Sequence, residues 1–145
     1  MKKNYYKLAK RNRIIIGSSI MLIIALQHIF RVGTYFEGDF YLYYYSYASD
    51  PIMPFGFYFL LFMNELEIKI LRKWYIKAAI IIGATTFAEI LQFFGVYALG
   101  KTFDPIDILM YVLGVGAAVI FDRWIFKRFI PFWNLEKLNE NIEKM

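Results

Sequence analysis

The chain has 145 residues, of which 59% are hydrophobic and 21% aromatic; its formal charge is +5 and it has no cysteine. That length suits one domain, and the apolar share exceeds the ~45–50% of ordinary soluble domains. The missing cysteines exclude a disulfide framework, a thiolate nucleophile and a cysteine-based metal site.

Four apolar runs account for the composition, at about 14–32, 52–66, 75–99 and 106–126. A helix needs about 20 largely apolar residues to cross the hydrocarbon core. The first, third and fourth runs reach that length. The second is short, opening at Pro51 and Pro54 and closing near Asn64 and Glu65, which suggests a thin or partly re-entrant crossing. The expected fold is therefore all-α: a four-helix transmembrane bundle forming a single integral membrane domain over 1–145, with a short amphipathic helix at the C-terminus. Three spans plus one re-entrant segment is the alternative.

Basic residues set the orientation. Lys2, Lys3, Lys7, Lys10, Arg11 and Arg13 precede the first run; Lys69, Arg72, Lys73 and Lys77 separate the second from the third. Arg123, Lys127, Arg128, Lys137 and Lys144 follow the fourth. Of the 17 basic residues only Arg31 and Lys101 fall on the other side. By the positive-inside rule both termini are cytoplasmic, and the net charge becomes a topology signal that needs no nucleic acid. The first run is long and lacks a small-x-small cleavage signal, so it reads as a retained first helix.

In chain order, His28 and Gln27 come near the outer end of the first run, with Arg31 one turn beyond Gln27. The loop 34–50 is dense in tyrosine and phenylalanine, which suits the headgroup belt or an aromatic platform for a sugar or an isoprenoid lipid. Asn64, Glu65 and Glu67 read as interfacial and solvated. Gly83, Ala84, Ala88 and Gly95 in the third run, and Gly114, Gly116, Ala117 and Ala118 in the fourth, suggest a closely packed antiparallel pair. In the tail, Leu135, Leu138, Ile142 and Met145 recur at helical spacing, with Trp133 at the root of a surface-lying helix.

The candidate site lies in the third and fourth runs. Glu89 and Gln92 share a helix face, with Thr85 and Thr86 one turn below, and a carboxylate inside a membrane-length run marks a site by default. Asp104 suits an N-cap, Pro105 the first helical position and Asp107 the third. Asp107, Tyr111 and Gly114 then continue on one face towards Glu89 and Gln92, with Lys101 as the nearby cation. Capping alone would also explain both aspartates, and a hydrogen-bonded lock would explain Glu89 with Gln92. The candidate ligand-binding set is Glu89, Gln92, Lys101, Asp104, Asp107 and Tyr111; Glu89, Asp107 and Asp104 are the candidates for catalysis. No cofactor or resident metal is expected. His28 with the carboxylates offers ligand types suited to a divalent cation, without a metal-binding spacing.

These residues resemble the VanZ-like family of small bacterial envelope membrane proteins, named for a member linked to glycopeptide antibiotic resistance. The likeness rests on Glu89, Gln92, Gly100, Lys101, Phe103, Asp104, Asp107, Gly114 and Ala118, and covers roughly the last two runs. Lys101 stands where that family usually has arginine, Tyr111 where it often has asparagine, and Ala118 where a second glycine is common. The runs LGKTF and DILMYVLG are closer to a sister group of small membrane proteins of unknown function. The resemblance implies the four-span layout and a role in the cell envelope, with no catalytic mechanism. The expected function is engagement of an anionic or lipid-linked envelope molecule through an outward-facing polar site. Alternatives are a membrane-embedded enzyme using paired carboxylates on a lipid-linked substrate, or a small proton or cation transporter or pore. Expected partners are membrane lipid, a lipid-linked envelope precursor and further copies of the chain.

Overall fold

The computed structural model describes residues 2–96, 103–130 and 133. Among them there is no strand. The helices are α1 (Lys2–Ile29), α2 (Asp39–Tyr43), α3 (Ile52–Met63), α4 (Trp74–Phe93) and α5 (Pro105–Ile120). A π-helical turn, Phe121–Phe126, and the segment Lys127–Phe129 prolong α5. The loop expected at 34–50 is itself largely helical, with α2 running into a π-helical turn at Tyr44–Ala48.

Three helices are long and apolar enough to cross a membrane: Tyr6–Ile29, Trp74–Phe93 and Pro105–Phe129. Their outward faces carry large apolar side chains, among them Ile23, Phe87, Leu113 and Ile120, each more than half exposed. A water-facing surface rarely tolerates so much contiguous apolar area, whereas lipid does. The second run differs. Its helix α3 has 12 residues, about 18 Å of rise, well short of a hydrocarbon core.

Short as it is, α3 forms the centre of the molecule. It packs against α1, α4 and α5, and α4 packs against α5. Tyr58, Phe59 and Phe62 of α3 are essentially inaccessible and meet Ile81, Val115, Ala118 and Trp133. Between helices that would otherwise contact equally apolar lipid, such packing stabilises through close van der Waals fit. Gly56 and Gly114 give that fit. A Cβ at Gly56 would meet Ile24 and Met21 of α1, and one at Gly114 would collide with the Pro51 backbone. The expected glycine seam between the last two runs is only partly present: Gly83 and Gly116 have nothing within 4 Å of a Cβ position. The helices are nonetheless antiparallel neighbours, since Glu89 meets Tyr111 and Lys77 meets Asp122. Polar contacts and α3 set that pairing more than a small-residue stripe does.

At the end of the bundle that bears the N-terminus, four charged residues are buried together. Glu65 accepts from Arg13 and, at 2.7 Å, from Lys77. Asp122 accepts from the Tyr58 hydroxyl at 2.6 Å, the Trp133 indole at 2.8 Å and Lys77 at 3.3 Å. Each of the four is at most 5% exposed. The solvated reading of Glu65 is thus corrected: α3 ends too early to carry it to water, and two cations meet it inside. Trp133 is likewise core, stacked on Phe62 at 3.9 Å. The tail expected to lie on the membrane surface is outside the described residues, apart from that tryptophan.

Candidate functional site

At the opposite end, α4 delivers Glu89 to the interior, 1% exposed. Its Oε1 accepts from the Tyr111 hydroxyl at 2.5 Å and from Gln92 Nε2 at 3.1 Å. Its Oε2 is buried without a hydrogen-bond partner. Thr85, one turn away, uses its hydroxyl on the Ile81 carbonyl at 2.9 Å, so it gives Glu89 no help. A buried, half-satisfied carboxyl is costly to retain.

Asp104 caps α5, accepting from the Ile106 amide at 2.9 Å, and Pro105 occupies the first turn as expected. Asp107 does not join Glu89 directly. It lies within electrostatic reach of Asp50, with the charge of Glu89 also acting on that carboxyl. Burial pushes the Asp50 carboxyl above its ordinary range. The Ser49 hydroxyl, at 3.3 Å, and the neighbouring Asp107 side chain oppose that shift, while the charges of Glu89 and Asp104 reinforce it.

The structure therefore brings together Glu89, Gln92, Asp107 and Tyr111 and leaves Asp104 at the rim as a cap. Lys101 lies outside the described residues. Sequence reasoning missed Asp50 as a member. Its one sequence signal was the step Asp50-Pro51 just before an apolar run, the same pattern as Asp104-Pro105. Proximity to Asp107 is a product of α3 packing on α5, through Gly114 and Pro51, and no spacing rule carries it.

Against Asp50 and Tyr111 of this group lies a pocket of about 180 Å³, lined also by His28, Ser49, Met53, Pro54 and Thr85. His28 is thus a wall residue of the site. Among the described residues, no group of three or more histidine or acidic side chains is arranged to hold a metal ion, and none of Asp50, Glu89 and Asp107 is in an ion pair. The arrangement can accept hydrogen bonds from hydroxyl or ammonium groups and can exchange a proton between carboxyls. No family model, curated protein or solved structure matches the chain.

Proposed function

We propose that the chain is a multi-pass protein of the bacterial cytoplasmic membrane, VanZ-like in its last two spans, that holds a lipid-linked envelope molecule in an outward-facing polar pocket. The observation that carries this reading is the unpartnered Oε2 of Glu89, a carboxyl held by Tyr111, which walls the pocket together with Asp50 and Thr85. An unfilled acceptor at membrane depth suits a donor brought by a ligand. Asymmetry of the basic residues supports cytoplasmic termini and so an outward pocket. The contacts of α3 at both polar ends of the bundle support a fourth, locally thinned crossing. Phe59, Ile81 and Val115 pack between the two polar ends, which favours a holding site over a polar conduit through one copy.

Native mass spectrometry of the protein purified in mild detergent tests the reading. Wild type should retain a lipid-linked mass that Glu89→Gln and Asp50→Asn lose without a fall in melting temperature. Equal retention by all three, or none by wild type, would overturn it.

A further inference from the structure

A second pocket of about 450 Å³ adjoins the carboxyl pocket, and His28 and Ser49 belong to both walls. The two chambers are sorted by charge. Among the described residues, the larger is lined by Arg31 with Gln27, Thr34 and three tyrosines and has no carboxylate in its wall. The smaller has Asp50, within reach of the charges of Glu89 and Asp104, and Tyr111, which bonds Glu89, and among the described residues its wall has no lysine or arginine.

The larger chamber is built rather than incidental. Arg31 is the one non-glycine residue with positive φ among those described, at 47°. That conformation is uncommon for a residue with a Cβ and persists here because the Thr34 amide and hydroxyl both bond the Arg31 carbonyl, at 2.7 and 2.8 Å. Gly33 lies against the rings of Tyr44 and Tyr45, where a Cβ would collide. Tyr44 also accepts from Gln27. These contacts fold the segment after α1 back over its own end and place a guanidinium beside tyrosine rings.

Pro51, the neighbour of Asp50, belongs to the wall of a third cavity, an apolar groove of about 490 Å³ lined by side chains of α1, α3 and α5 such as Ile20, Phe55 and Leu113. Opposite charges, a tyrosine wall and an apolar groove that begins one residue along the chain from Asp50 are the complement of an amphiphile. Guanidinium groups suit phosphate geometry, and ionised carboxylates accept only, so they suit an ammonium.

We propose that the joined chambers hold the headgroup of a zwitterionic phospholipid, its phosphate at Arg31 and His28 and its primary ammonium at Asp50, Asp107 and Glu89, with an acyl chain along the groove. This rests on the reading that the pocket holds a lipid-linked molecule, and it names the headgroup chemistry.

The test uses the full chain in nanodiscs of equal phosphatidylethanolamine and phosphatidylglycerol, reading the lipids retained after transfer to detergent. Charge-assisted hydrogen bonds are worth a factor of ten or more, so wild type should enrich phosphatidylethanolamine about tenfold. Asp50→Asn should bring phosphatidylethanolamine down to the phosphatidylglycerol level, so that the preference and most of the retained lipid are lost together. Arg31→Gln, at an exposed side chain, should weaken retention of both lipids. Equal retention of the two lipids by wild type, still abolished by Glu89→Gln, would overturn the headgroup assignment and leave the lipid-holding reading intact. Retention of neither would overturn both. Displacement by soluble phosphoethanolamine as effective as by the lipid would overturn the lipid as source.

Discussion

Both ends of the bundle take acidic groups out of water and treat them in opposite ways. At the end that bears the N-terminus, Glu65 and Asp122 face Arg13 and Lys77, and every carboxylate oxygen has a donor. At the opposite end, Glu89 accepts from the neutral Tyr111 and Gln92 and Asp50 from Ser49, and Glu89 keeps a bare oxygen. Both ends use the same helices, about 18 Å apart along α4 from Lys77 to Glu89. The contrast teaches that burial of charge alone does not identify a site. A neutralised, satisfied network is a fastening, and a residual acceptor beside a cavity is an invitation to a ligand.

Breaking the fastening should have the largest effect. Lys77→Met leaves Glu65 and Asp122 short of a cation and should cost about 3–5 kcal/mol, read as a lowered thermal or denaturant midpoint in detergent. Exchanging the Arg13–Glu65 pair together for apolar residues of similar size should cost less than Arg13→Met alone. If Lys77→Met is harmless, the Arg13–Glu65–Lys77–Asp122 network is no fastening.

At the opposite end shape should matter more than charge. Gly114→Ala forces α5 off the Pro51 backbone and should cost about 1–3 kcal/mol and open the carboxyl pocket. Gly116→Ala, facing open space, is the matched control and should be near neutral. Equal effects at the two positions would mean that α3 does not close against α5 as described.

The smallest effect should be a gain. The folded Asp50 carboxyl is raised above its ordinary value of 3.8, so the folded state binds a proton more readily than the unfolded chain. Stability from this group is present below that ordinary value and is lost as pH rises through the raised one. Asp50→Asn should remove this decline and stabilise the protein at neutral pH by less than about 1 kcal/mol, given its partial exposure. Paired melting curves across acidic to neutral pH would check it. A stabilising effect confined to low pH would contradict the sign.

How much of this was legible beforehand depends on distance along the chain. Helical spacing placed Glu89 with Gln92, and cap chemistry placed Asp104, Pro105 and Asp107, because those relations span a single turn. Apolar run length gave the three long helices and flagged the second as short. Spacing could not reveal that Arg13 meets Glu65, that Lys77 meets Asp122, or that Asp50 meets Asp107. Each pair joins different helices, and its members read as ordinary ends of apolar runs.

The sequence by itself determined an all-helical chain with three membrane-length segments and a polar step between the last two, since periodicity and hydrophobic length are local properties. Tertiary structure alone decided which buried charges are matched and which are left over. That depends on a 12-residue α3 lying at the centre of its longer neighbours. Its short length draws Glu65 inward to two cations at one end and brings Asp50 beside Asp107 at the other.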